Sequence, residues 1–204
     1  MGRIILILGG ARSGKSGFAQ TMASRLCTID SASPATDDTA LTSGERAGGE
    51  RVTYLATATV KDEEMELRIA RHRQSRPADW RTVEEPHRVA RALSRETSAV
   101  VVVDCLTLLI SNLLLEQGAD QPDRLPQLDK LEAVVMREIE DILRQARRIR
   151  ARVLLISNEV GLSVVPPTPL GRAFRDIAGR VNQRVAAEAE EVYFLLAGLA
   201  QKLK

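Results

Sequence analysis

Residues 9–16 read GGARSGKS and follow directly on the apolar run Ile4-Ile5-Leu6-Ile7-Leu8. The spacing of Gly9, four residues, then Gly14-Lys15-Ser16 is that of a phosphate-gripping P-loop. In such a loop the backbone N–H groups turn inward around phosphate oxygens, which needs angles and a closeness of approach that a Cβ would block. The lysine then reaches the β and γ phosphates, and the serine hydroxyl can hold Mg²⁺. A glycine turn that only joined a strand to a helix would gain nothing from Lys15 or Ser16. Gly9, Gly10, Ala11, Arg12, Ser13, Gly14, Lys15 and Ser16 are therefore expected to bind a nucleoside triphosphate.

Two further residues could carry chemistry. Asp104 ends the run Ala99-Val100-Val101-Val102-Val103. An ionised carboxylate at the end of a buried strand needs a partner, and Mg²⁺ shared with Ser16 would supply one. An acid capping the helix that starts at Cys105 would occupy the same position. His72 follows Met65 by seven residues and Ile69 by three, so it is expected on their inward stripe. There it is either a hydrogen-bonded core histidine or a functional one. Arg68, Arg71, Arg73 and Arg76 crowd the same segment, an excess of positive charge that calls for an anion. His87, beside Pro86, is expected to face solvent.

The elements that must position these residues alternate. Strands are expected at the N-terminal apolar run, Val52–Ala58, Trp80–Val83, Ser98–Asp104, Val153–Ile156 and Val192–Leu196. Helices are expected over Gly17–Leu26, Lys61–Gln74, from Pro86, over Cys105–Gln117, ending near Arg150, and along the face Leu170, Phe174, Ile177, Val181. Continuous apolar strands between helices predict an α/β fold of the P-loop NTPase type, a mostly parallel sheet with helices on both faces and room for an antiparallel edge strand. Ligands of such sheets sit beyond the strand C-termini, which nominates Gly9–Ser16, Ala56–Thr59, Glu84, Asp104 and Ser157–Gly161.

At 204 residues the chain is expected to be one catalytic domain, 1–204, interrupted by a polar insertion at about 28–51. Its 29 basic and 27 acidic residues nearly cancel and aromatics make up only 3%, so no nucleic-acid track or stacking surface is expected. The two cysteines, Cys27 and Cys105, lie in different elements, which argues against a disulfide framework. No run reaches the roughly 20 apolar residues of a membrane span. A soluble, cytoplasmic protein is expected. No Asn-Lys-x-Asp guanine-specificity motif occurs, which argues against a regulatory GTPase.

Five motifs in order carry a resemblance: GGARSGKS, Arg68-Ile69-Ala70-Arg71-His72, Arg76-Pro77-x-x-Trp80-Arg81-Thr82, Ser157-Asn158-Glu159-Val160-Gly161, and Phe174-Arg175-Asp176-Ile177-Ala178-Gly179-Arg180-Val181-Asn182-Gln183. Together they resemble the bifunctional adenosylcobinamide kinase/adenosylcobinamide-phosphate guanylyltransferase family of cobalamin biosynthesis, over nearly the whole chain except 28–51. The resemblance implies that adenosylcobinamide takes the γ-phosphoryl group of ATP or GTP. A histidine then takes GMP from GTP, with Mg²⁺, and passes it to adenosylcobinamide phosphate.

It implies that His72 is the guanylylated histidine and that Lys15 serves both steps. Some members carry a second histidine where this chain has Arg71. Nucleotide contacts are implied for Gly9–Ser16, Ala56, Thr57, Ala58, Arg73, Gln74, Ser75, Arg76, Glu84 and Asp104, and a homotrimer for the assembly. A kinase or guanylyltransferase with only one of the two activities would share these motifs. The loop Gly161–Pro169 is offered for part of the corrinoid site.

Overall fold

The computed structural model describes residues 2–31, 51–59, 63–74, 76–121 and 128–204. The expected insertion therefore lies mostly outside the described residues, as does Ser75.

Among the described residues seven strands form one sheet: β1 (Arg3–Gly9), β2 (Val52–Ala56), β3 (Arg81–Glu84), β4 (Val100–Asp104), β5 (Arg152–Asn158), β6 (Glu191–Leu196) and β7 (Leu199–Lys202). Their order across the sheet is β3-β2-β4-β5-β1-β6-β7, all parallel except the β6–β7 pair. Alternation of side chains divides strands β1, β2, β4, β5 and β6 between two cores. Ile4, Leu6, Leu8, Val101, Val103, Val153 and Leu155 pack on one face with α3 (Val89–Leu93), α4 (Leu106–Glu116), α5 (Leu128–Arg148) and α6 (Pro169–Glu188). Ile5, Ile7, Tyr54, Val100, Val102, Leu154 and Ile156 pack on the other with α1 (Lys15–Ser31), whose Ala19 and Ala23 let the helix lie close to the strands. Val100 to Val103 are wholly buried, each contributing roughly 2 kcal/mol of apolar transfer.

Local chemistry sets the helix ends. In α2 (Glu63–Gln74) Glu63, Glu64 and Glu66 occupy the first turn and Arg71, His72 and Arg73 the last, complementing the helix dipole. Thr168 caps α6 by accepting from the Gly171 N–H at 3.1 Å, with Pro169 in the first helical turn.

Three expectations need correction. The helix expected from Pro86 starts instead at Val89, because the Glu85 carboxylate accepts from the His87 and Arg88 N–H groups and holds those residues in a turn. His87 is half-buried there, not solvent-facing. The helix after Gly14 is also longer than expected, Lys15–Ser31, so the start of the supposed insertion is helical.

At the other end of the sheet, a hairpin turn at Ala197 and Gly198, both with positive φ, carries the chain into β7. Its Gly198 N–H donates to the Ser13 carbonyl at 3.0 Å, bracing the P-loop.

Candidate active site

The loop after β1 has the geometry its glycines permit. Gly9 and Gly14 have φ of 153° and 94°, and a Cβ on Gly9 would sit 2.5 Å from the Leu195 carbonyl oxygen. Lys15 Nζ donates to the Gly10 carbonyl at 2.5 Å, curling its side chain back over the loop. Burial lowers the Lys15 pKa from its ordinary value, opposed by the charge of nearby groups that include Asp104.

Asp104 stands opposite. Its Oδ2 accepts the Ser16 hydroxyl at 2.9 Å and also the Tyr54 hydroxyl. The residue before α4 is Cys105, and no side chain caps that helix, so Asp104 is not a helix cap. Burial and the adjacent carboxylate push the Tyr54 phenol far above its ordinary range, which keeps its proton available to Asp104. Burial likewise pushes the Cys105 thiol up to about 11.

Beneath the cleft wall, the Thr57 hydroxyl donates to the Cys105 carbonyl and accepts from the Cys105 N–H, each at 2.8 Å. Asn112 donates to the carbonyls of Thr57 and Pro86 at 2.8 and 3.1 Å, and Asn158 donates to Thr107 Oγ1 at 2.7 Å. These amides and hydroxyls fix the C-terminal ends of β2, β4 and β5 relative to one another.

One cleft of about 800 Å³ opens over this edge of the sheet. Its walls include the P-loop from Ala11 to Gly17, Ala56, Ala58, Asp104, Asn158, then Ile69, His72 and Arg73 on α2, and Arg76 just beyond its end. His72 is exposed and not part of the core: the stripe it shares with Ile69 faces the open cleft, so the shared face was legible but not what it covers.

Arg76 lies with its guanidinium 3.8 Å over the Tyr54 ring and donates to Thr82 Oγ1 at 3.2 Å. Its Nε is buried without a hydrogen-bond partner among the described residues. Arg73 pairs at 3.8 Å with Glu84, which also lines the cleft. Thr57 is buried under the wall and Gln74 is exposed, and neither is among the residues that line the cleft.

Tyr54 and Asn112 were not singled out from sequence as site residues, whereas Asn158 lies in the nominated stretch Ser157–Gly161 and does line the cleft. Tyr54 sits in a strand where an aromatic reads simply as core, and nothing in its spacing marks a hydroxyl aimed at Asp104. Asn112 did leave a signal, as a polar residue inside the most apolar helix.

The family described as CobU, cobinamide kinase / cobinamide phosphate guanyltransferase, matches residues 5–203. The chain belongs to this family. The bifunctional adenosylcobalamin biosynthesis protein CobP of Pseudomonas aeruginosa is 41% identical over 201 residues, 98% of this chain and 96% of that protein. CobU of Escherichia coli K12, with the same description, is 36% identical over 203 residues, 98% of this chain and 99% of that protein. CobU of Salmonella typhimurium is 34% identical over equal spans. Membership gives the chain both reaction types, cobinamide kinase and cobinamide phosphate guanyltransferase. Among the described residues no helix is long and apolar enough to cross a membrane.

Proposed function

We propose that this chain phosphorylates the aminopropanol hydroxyl of adenosylcobinamide with ATP or GTP, and then transfers GMP from GTP to adenosylcobinamide phosphate through His72. The observation that carries this reading is that the P-loop, Asp104 and His72 line one cleft.

In the first reaction the substrate hydroxyl oxygen bonds to the γ-phosphorus, its proton passes to solvent, the bond to the β–γ bridging oxygen breaks, and the nucleoside diphosphate leaves. In the second, an imidazole nitrogen of His72 bonds to the α-phosphorus of GTP and pyrophosphate leaves. A phosphate oxygen of adenosylcobinamide phosphate then displaces the histidine, giving adenosylcobinamide-GDP. The P–N bond retains transfer potential, which suits a step that must pass GMP onward.

Lys15 and the P-loop N–H groups stabilise charge on the leaving phosphates in both reactions. Arg73, next to His72 on α2, and Arg76, just beyond the end of α2, offer positive charge to the same phosphate chain. The attacked phosphorus atoms differ, γ and then α, so the nucleotide takes two registers or α2 moves between steps.

Ser16 and Asp104, with oxygens 2.9 Å apart at the cleft wall, are hard donors that fit Mg²⁺. Bound there, Mg²⁺ would neutralise charge on the β and γ phosphates. Among the described residues no group of three or more His, Cys, Asp or Glu comes together, so the phosphates and water would complete its ligands. We place the enzyme in the cytoplasm, as a homotrimer without a nucleic-acid partner.

The test uses GTP labelled at the α-phosphate. Wild-type protein should acquire an acid-labile GMP on the peptide containing His72. His72→Ala should acquire none while still phosphorylating adenosylcobinamide. Kinase activity without any adduct in the wild type would leave a kinase of single activity.

A further inference from the structure

The cleft is of a size for one nucleotide, so a corrin macrocycle, large and studded with methyl groups, has to rest outside it against the rim. The acceptor hydroxyl must nevertheless meet the γ-phosphorus, which Lys15, Ser16 and Asp104 surround. The sheet order identifies the adjoining rim. Strand β5 lies between β4 and β1, with Asn158 in register with Gly9 and Ile156 with Asp104. The chain that leaves β5 therefore emerges between the P-loop and the acid, and its first N–H, that of Glu159, donates to the Gly9 carbonyl at 3.1 Å.

That loop is built, not slack. The Glu159 carboxylate accepts from the Gly161 N–H at 2.7 Å, and the Ser163 hydroxyl donates to the Val160 carbonyl at 2.8 Å. Arg172 reaches back from α6 to the carbonyls of Pro166 and Pro167 at 3.1 and 2.8 Å. Val160 packs against the core. Yet Leu162, Val164 and Val165 stand 82%, 90% and 60% exposed. A braced loop that leaves the sheet next to the P-loop and holds three apolar side chains in water offers a surface for an apolar ligand. The other exposed pair at this edge, Leu196 and Leu199, lies across β1 from Asp104, on the far side of the P-loop.

We propose that the ledge Leu162, Val164 and Val165 carries the corrin ring of the acceptor and sets its aminopropanol arm over the γ-phosphate end of the cleft. The assignment rests on the reading of the chain as a cobinamide kinase.

The test is Leu162→Ser/Val164→Ser in the full chain, with Val164→Cys as a second variant. The double variant should raise the KM for adenosylcobinamide roughly tenfold or more, as expected when two apolar side chains lose their cover. GMP adduct formation from GTP alone, which needs no corrinoid, should stay unchanged. In Val164→Cys, cobinamide should slow alkylation of the introduced thiol by a maleimide, and GTP alone should not. Labelling of the wild type corrects for Cys27, which is half-exposed.

An unchanged KM together with an unprotected thiol overturns the proposal. So does a loss of self-association by sedimentation velocity with the corrinoid KM intact, which would assign the ledge to a second copy of the chain. Failure of the wild type to phosphorylate adenosylcobinamide would instead overturn the functional reading itself.

Discussion

Tyr54 and Ser16 donate to the same oxygen of Asp104, so the carboxylate is aimed before any ligand arrives. A phenol that keeps its proton can hold Asp104 in place while the Ser16 hydroxyl turns its oxygen to a metal. Tyr54→Phe preserves the buried ring and the surface under Arg76 and removes only the hydroxyl. It should weaken Mn²⁺ binding in the presence of GTP roughly tenfold, read from the paramagnetic signal of free Mn²⁺, with little change in melting temperature. Unchanged metal affinity would show that the Tyr54 hydroxyl only satisfies a buried oxygen.

Thr57 acts one layer further down. Its single hydroxyl serves both the carbonyl and the N–H of Cys105, the residue after Asp104. Thr57→Val keeps the shape and strands the buried Cys105 N–H, while the Cys105 carbonyl still accepts from the Leu109 N–H at 3.2 Å, so the change should cost about 2 kcal/mol in urea unfolding. Thr57→Ser keeps the hydroxyl and should cost about 1 kcal/mol for the lost methyl. Equal losses in the two variants would mean that packing, and not the paired hydrogen bonds, holds this wall.

Arg76 combines packing and charge in one side chain. Replacing the planar guanidinium over Tyr54 by the ammonium of Arg76→Lys, or by the thioether of Arg76→Met, should destabilise the fold by about 1 kcal/mol in each case. Only Arg76→Met removes the positive charge from the cleft, and it alone should lose roughly a further tenfold in GTP affinity by calorimetric titration. If both variants bind GTP as the wild type does, Arg76 serves only to seat Tyr54 and the end of α2.

Much of this was legible in the sequence because it depends on local pattern. The P-loop spacing, the four valines before Asp104 and the 3.6-residue face of α6 each specify their element without knowledge of the rest. What escaped depends on contacts distant in sequence. Tyr54 meets Asp104 across 50 residues, and Asn112 meets Thr57 across 55.

The stripe of Ile69 and His72 was found by its period, but a period cannot say whether a face meets a core or a cleft. The edge strand β7 was anticipated only as a possibility of the fold. Its signal was Gly198 after Ala197, whose paired positive φ values make a tight hairpin. The start of α3 was misplaced because a side chain, that of Glu85, decided it.

Glu190 ties the far end of the sheet together, accepting the Ile4 N–H at 2.7 Å and the Arg147 guanidinium. Burial pushes its carboxyl up, but the hydrogen bonds from the Ile4 N–H and from Arg147 outweigh that, and its pKa falls below the ordinary glutamate value. The folded state therefore binds this proton less readily than the unfolded chain, so the stabilisation is present above the ordinary glutamate pKa and is lost as pH falls through the folded value. Glu190→Gln can still accept from Ile4 but gives up the ion pair, which is about one-third exposed and should contribute roughly 1 kcal/mol at pH 7. Urea unfolding at pH 7 and at pH 4 should show the gap between wild type and variant narrowing at the lower pH. A gap that is constant or wider in acid would mean that the Arg147 pair adds no stability and that the Ile4 hydrogen bond alone fixes this corner.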